Sequence, residues 1–323
     1  QHVINCVTGP DEYRLFTDNN AYTNAMVAFT LRYAVDTLRR IKTEAPDKLD
    51  SLKESVALKD GEPERWAELA DGLFQQPVDP ELGVIEEDDT YFNTKTVLRH
   101  NVPFEDIPIY DNWAWDKVMW CELLKQPDVL LAAFLLGDRF CDAATLERCF
   151  RFYEPRTLHD SSLSPCIHSV LAAQMGLGRK AYDYYLYAAR LDLDDYNGNT
   201  WKGVHLSGMC GSWMTIVMGF GGLRWQGERM AFHPLIPDKW RSYTFRLVIG
   251  ETTLKVSVSR DEVSVEKVAG PDIEIDLQGR TVRIDSNGSC RSSLEPPASA
   301  VATRGALFDL DGVLVHTDKL HYR

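Results

Sequence analysis

Residues 211–232, GSWMTIVMGFGGLRWQGERMAF, decide how this chain is built. The first half is mostly apolar and reads as a helix over 211–220. A Gly-Gly pair at 221–222 then punctuates the chain. From Arg229 onward apolar and polar residues alternate at period two, the mark of half-buried strands. YTFRLVIG, TTLKVSVSR, EVSVEKVAG, IEIDLQG and TVRIDSN continue that alternation, separated by Gly, Asp and Ser turns. The stretch is therefore a seam. A helical region covers 1–225, and a small antiparallel β domain covers 226–285.

Upstream of the seam the helical period dominates. Met26, Phe29, Leu31, Tyr33, Ala34 and Leu38 form an apolar stripe over 21–42. Further helices are predicted over 62–75, 117–136, 141–154, 165–177 and 179–191, joined as antiparallel pairs. Between the second and third lies a long acidic and aromatic stretch, 76–116, of a length that usually carries function. Downstream, the Ser, Pro, Ala and Gly content of 286–304 predicts a flexible linker. Residues 305–323 begin a new apolar strand and stop.

Composition narrows the function classes. The chain has 323 residues, 44% of them hydrophobic, with a net charge of −13 spread along its length. That charge argues against a nucleic-acid partner, which needs clustered Lys and Arg. No run approaches 18 apolar residues, so no membrane span is expected. The N-terminal QHVINCVTGPDEY lacks the basic and apolar regions of a signal peptide. Seven cysteines at irregular spacings suit neither a disulfide framework nor a metal site, and they predict buried thiols in the cytoplasm. The missing initiator Met and the abrupt final motif predict a piece of a longer protein.

Four constellations carry possible chemistry. In TGPDEY, Glu12 follows a Gly-Pro turn, and as a general acid it needs partial burial and aromatic neighbours to keep its proton. Asp11 and Glu12 equally fit a solvated turn. In CELLKQPDVLLAAFLLGD, Lys125 and Gln126 interrupt an apolar helix beside Pro127, so the lysine either reaches water or faces a buried anion. RTLHDSSLSPCIHS is rich in hydroxyls and opens a helix, with Ser164 as its cap and Pro165 in its first turn. In GVHLSGMCGSWM, Gly208, Gly211 and Ser212 precede a helix whose free N–H groups suit a phosphate, and His205 can add a donor.

In this order, VTGPDEY…DNNAYTN, LKQPDV, YEPRTLHDSSLSPCIHS, AARLDLDD…GNT and GVHLSGMCGSW resemble the motifs of glycoside hydrolase family 65. The resemblance runs from residue 1 to about 285. The family includes maltose, trehalose, kojibiose and nigerose phosphorylases. It implies a mainly α fold, the C-terminal part of an (α/α)6 barrel, followed by the small β domain. It also implies Glu12 as general acid, and Lys125 and Gln126 as sugar contacts. A phosphate region follows at His205, Gly211 and Ser212, with Ser162 and Ser164 near it. Pro127 stands where Ala is usual, and SGMCGSW replaces the commoner ASMGGTW. The family's N-terminal β-sandwich and the first half of its barrel have no counterpart in this stretch.

The chemistry implied is phosphorolysis. Inverting glycosidases use two carboxylates, one of them to activate water. With inorganic phosphate as nucleophile and co-substrate, one acid and an oxyanion cradle suffice, and no cofactor is needed. An α-linked disaccharide then yields β-glucose 1-phosphate and a free sugar. The tail, FDLDGVLVHTD, resembles the start of a haloacid dehalogenase domain of the β-phosphoglucomutase type. There Asp309 is the nucleophile, Asp311 the acid/base, and Mg2+ the metal of the complete domain. The family implies a homodimer. Two alternatives stay open: a trehalase-like hydrolase using Glu86 or Glu87 to activate water, and a non-catalytic fragment. Reduced or absent activity is expected of this chain alone.

Overall fold

The computed structural model describes residues 1–226, 229–285 and 288–294. They form two compact units, Gln1–Asp160 and a second beginning at Ser161. The expected domain start at 305–323, with Asp309 and Asp311, lies outside the described residues, as does most of 286–304.

In the first unit, α1 (Ala21–Glu44) starts where the Asn20 side chain accepts the Thr23 N–H at 2.9 Å. Ala21, Ala25 and Ala28 bury one narrow face of it. Next come α2 (Pro46–Ser55) and α3 (Glu62–Gly72), both of which pack on α1. Irregular backbone follows as far as the short α4 (Ile109–Asn112) and α5 (Trp115–Met119). Then come α6 (Asp128–Leu136), buried at Val129, Leu130, Ala132, Ala133 and Leu136, and α7 (Ala143–Tyr153). The Asp142 side chain caps α7 by accepting the Thr145 N–H at 2.7 Å.

The single helix predicted over 117–136 is two helices with an extended segment between them. Cys121 bridges Lys95 and Leu124 bridges Thr157, both in parallel, where helix was expected. Pro127 explains the break: its ring pushes Gln126 out of helical geometry, and α6 can start only after it. Lys125 and Gln126 thus sit in the extended segment, not on a helix.

The second unit opens with α8 (Ser164–Gln174) and α9 (Gly178–Arg190), which pack together. Ser169 Oγ links them by donating to Ala181 O at 2.7 Å. Pro165 occupies the first turn of α8, as expected, but Ser164 is already helical and caps nothing, since Leu163 precedes the helix. The helix expected over 211–220 begins earlier, as α10 (Leu206–Met214), and continues as a π-helical turn over Thr215–Phe220.

Two four-stranded sheets follow. One runs in the order β1 (Leu223–Gln226), β2 (Arg229–Phe232), β6 (Ile273–Leu277), β7 (Arg280–Ile284). The other runs β3 (Ser242–Ile249), β4 (Thr252–Ser259), β5 (Glu262–Ala269), β8 (Ser289–Ser293). All pairings are antiparallel except β2 with β6. Their shared core takes Phe245, Leu247, Leu254, Val256, Val258, Val263 and Val265 from one sheet, and Met230, Phe232, Ile275, Leu277 and Ile284 from the other. Val217 of the π turn joins that core. Gln278 and Gly279 close the β6–β7 hairpin with φ of 53° and 79°, the left-handed pair that a two-residue turn demands.

β8 corrects the reading of 286–304 as linker throughout. Cys290 and Leu294 pack inward onto the core, with half-buried Ser292 on the same face and Ser289, Arg291 and Ser293 exposed, so a serine-rich stretch pairs with β5 as an edge strand. All seven cysteines are free, with Cys121, Cys149 and Cys166 buried. Among the described residues no helix is long and apolar enough to cross a membrane.

Candidate active site

The Gly-Pro turn is held by its own aspartate. Asp11 is fully buried. Its Oδ1 accepts the backbone N–H of Lys125 at 2.8 Å, and those of Gln126 and Tyr13 at 3.4 Å. Gln126 Nε2 returns a bond to Pro10 O at 2.6 Å. The turn and the extended segment are thereby laced together over a sequence separation of more than 110 residues. Gly9 makes this possible, since a Cβ there would fall 1.8 Å from Asp128 Oδ2.

Glu12 projects from the laced turn and pairs with Lys125 Nζ. The Glu12 side chain is 61% exposed, against 21% for Lys125. Among the described residues the burial expected around the acid is therefore not found on Glu12. Burial falls on its neighbours instead: Asp11 on one side and Tyr13, 1% exposed, on the other. The physical reason is alternation across a tight turn, which sends successive side chains to opposite sides. Lys125 lies 5.4 Å from the Tyr110 ring centroid, so the ammonium has an aromatic face as well as a carboxylate. The Tyr13 hydroxyl donates to Asp160 Oδ2, and burial with the Asp160 charge pushes that hydroxyl far above its ordinary range.

Beneath the turn lies a row of buried acids. Asp11 N–H donates to Asp128 Oδ1 at 2.7 Å, Asn20 Nδ2 donates to Asp128 Oδ2 at 2.7 Å, and Asp128 N–H donates to Glu87 Oε1 at 2.8 Å. Burial pushes the Asp11 carboxyl up to about 7. Burial, reinforced by the neighbouring carboxyls, raises Asp128 and Glu87 as well. Arg14 closes the network on its other side, donating to both Asp88 oxygens at 2.9 Å and to Met119 O at 2.9 Å. Glu87, a candidate water-activating base, has one oxygen committed to the first N–H of α6. Glu86 accepts the Phe92 N–H at 2.8 Å.

The phosphate candidates belong to the second unit. His205 immediately precedes α10. Asp192 grips it twice, accepting from its backbone N–H at 2.7 Å and bonding its Nδ1 at 2.6 Å. Burial pushes the Asp192 carboxyl up, but the two His205 bonds outweigh that and hold it below its usual range. With Nδ1 on Asp192, Nε2 is the nitrogen available to another partner. Ser162 and His205 both flank Gly208 in the first turn of α10: a Cβ on Gly208 would meet Ser162 O at 3.4 Å and His205 Cβ at 3.6 Å.

The remaining three candidates sit elsewhere. Gly211 and Ser212 lie inside α10, not before it. Gly211 faces Cys166, whose Sγ would be 2.7 Å from a Cβ, so the glycine serves close helix packing. Ser212 Oγ donates back to Gly208 O at 3.1 Å. Ser164 is buried, with its carbonyl and hydroxyl against His168 Nδ1. Sequence reasoning missed Asp11 and Asp192 as structural partners of the site. Asp192 lay in the quoted AARLDLDD segment, where the only signal was its acidic density.

Residues 1–214 match the family described as glycosyl hydrolase family 65 central catalytic domain, and residues 223–284 match the glycosyl hydrolase family 65 C-terminal domain. An alpha,alpha-trehalose phosphorylase from Thermoanaerobacter brockii is 38% identical over 272 residues, covering 84% of this chain and 35% of the relative. A maltose phosphorylase from Bacillus subtilis is 37% identical over 297 residues, covering 89% and 38%. A solved structure, "Putative kojibiose phosphorylase from human microbiome", superposes with a TM-score of 0.80 at 32% identity, covering 90% of this chain and 42% of that one. The chain thus spans well under half the length of the relatives it matches.

Proposed function

The chain belongs to glycosyl hydrolase family 65, and from that premise we propose that it forms part of an inverting disaccharide phosphorylase. The substrate class is an α-linked glucose disaccharide of the maltose, trehalose or kojibiose type, with inorganic phosphate as co-substrate. The observation that carries this reading is the Glu12–Lys125 pair, mounted on two segments that Asp11 laces together.

In this reading Glu12 gives its proton to the glycosidic oxygen as the C1–O bond breaks, and a phosphate oxygen forms the new bond to C1 from the opposite face. The anomeric centre inverts, β-glucose 1-phosphate and a free sugar leave, and Glu12 remains as a carboxylate until it is reprotonated. Disaccharide binding draws the Lys125 ammonium onto a sugar hydroxyl and closes water off from Glu12. Both changes favour a protonated acid. Gln126 is the second sugar contact. His205, Ser162 and the first turn of α10 are the proposed phosphate donors, with Asp192 fixing the imidazole. The full burial of Glu87, away from solvent water, supports phosphate over water as nucleophile.

The proposal extends to the whole protein: helices completing an (α/α)6 barrel, a cytoplasmic homodimer, and a following mutase-type domain that uses Mg2+. Turnover of the full-length protein with and without inorganic phosphate tests the reaction. Cleavage that rises with phosphate concentration supports it, and equal rates in phosphate-free buffer overturn it in favour of hydrolysis.

A further inference from the structure

Asp11 makes no contact that chemistry on a sugar requires, yet both residues that would touch the sugar hang from it. Its Oδ1 takes the Lys125 N–H at 2.8 Å and the Gln126 N–H at 3.4 Å, and Glu12 is its covalent neighbour. Three backbone donors converge on this one oxygen, counting Tyr13. The other oxygen, Oδ2, is buried and makes no hydrogen bond among the described residues, and the same holds for Glu87 Oε2. A fully buried carboxyl with one bare oxygen is an expensive way to close a loop, since an unpaired buried polar atom loses its hydration without recompense. Arg14, buried in the same region, gives its guanidinium fork to Asp88 instead. Among the described residues no group of His, Cys, Asp and Glu is arranged to hold a metal.

We propose that Asp11 is a positioning residue for glycosidic cleavage: its accepting oxygen fixes the Lys125–Gln126 backbone against the Glu12 turn, and so sets how acid and sugar contacts stand to one another. The inference rests on the reading of Glu12 as acid. It goes further by assigning the geometry to a residue that touches no substrate. Three features support a positional role over mere loop closure. The bonds come from the two residues proposed to hold the sugar. Asp128 Oδ1 locks the Asp11 backbone from behind at 2.7 Å. Gly9 admits that lock only because it has no side chain. A misplacement of about 1 Å between acid and substrate lowers a rate about 100-fold, so the clamp has leverage on kcat.

The test uses the full-length protein carrying Asp11→Leu, Asp11→Asn, Asp11→Glu or Glu12→Gln, with amide exchange followed at Lys125 and Gln126. Asp11→Asn keeps an accepting oxygen in place without charge. Asp11→Glu keeps the carboxyl but moves it by a methylene, and it stands in should Asp11→Leu not fold. The expected result is a kcat about 100-fold lower for the Leu and Glu variants, with KM for disaccharide changed far less. The Lys125 and Gln126 amides should exchange at least about 10-fold faster in those two, and Asn should recover most of both effects. Wild-type exchange and kcat in the Leu or Glu variant, or an Asn variant no better than Leu, would overturn the clamp. Full activity in Glu12→Gln would instead overturn the reading of the acid, and the exchange rates would still report on the clamp.

Discussion

The edge that bears Glu12 and the pair of β-sheets are built on opposite principles. In the sheets, regular ladders satisfy the backbone, and apolar side chains such as Leu254, Val256 and Val263, all fully buried, supply the stability. Around Glu12 the backbone is irregular, and polar side chains do what ladders do elsewhere. Asp11 takes three N–H groups, Glu87 takes the first N–H of α6, and Arg14 takes Met119 O. Irregular backbone cannot be buried unless side chains satisfy it. The comparison teaches that the site is held by polar bonds with fixed directions, which position groups sharply but tolerate few changes. The sheets are held by burial, which is forgiving in direction and graded in cost.

The contrast can be broken in order of effect. Glu12→Gln should lower kcat of the full-length protein by about 1,000-fold or more while leaving its melting temperature within a degree or two of wild type, because the side chain is the proposed acid and its pair with Lys125 is largely exposed. An equal loss of activity and fold would remove Glu12 from the chemistry. Arg14→Leu leaves Asp88 buried without its partner and should cost about 3–5 kcal/mol in denaturant unfolding. Leu254→Ala, in the sheet core, should cost about 3 kcal/mol and spare any activity the protein shows. A smaller loss for Arg14 than for Leu254 would invert the comparison.

The buried acids add a pH prediction. The Asp11 carboxyl is raised to about 7 in the fold from an ordinary 3.8, so folding favours its protonated form. Its stabilising contribution is complete below about pH 4 and is lost as pH rises through 7. Wild type should therefore lose stability relative to Asp11→Asn between pH 5 and 8, by about 2–3 kcal/mol in chemical denaturation. A constant difference across that range would mean that Asp11 is charged throughout. The smallest effect belongs to the surface: breaking the exposed Arg39–Asp36 pair with Asp36→Ala should change stability by less than about 0.5 kcal/mol.

Legibility in the sequence follows the same division. The strands of the β region were readable because period-two alternation is what burial on one face produces, as at Phe245 and Leu247 or Val263 and Val265. β8 escaped because its serines dominate the composition while Cys290 and Leu294 do the inward packing. α2, PDKLDSLKES, escaped because two leucines make no stripe. Gly208 and Gly211 read as a loop before a helix, whereas Gly211 is helical because α10 approaches Cys166 too closely for a side chain. At the candidate site, the motif pointed to Glu12 as the proposed acid, but its exposure and the burial of Asp11 beside it were not legible. Two adjacent acids look alike in sequence, and only the turn decides which one faces inward.

The most direct measurement follows the anomeric proton of the product by NMR while the full-length protein turns over an α-linked glucose disaccharide with inorganic phosphate. The account predicts β-glucose 1-phosphate as the first product, its formation abolished by omitting phosphate and nearly abolished by Glu12→Gln. Free glucose formed at the same rate without phosphate, or an α-configured glucose 1-phosphate, would contradict it.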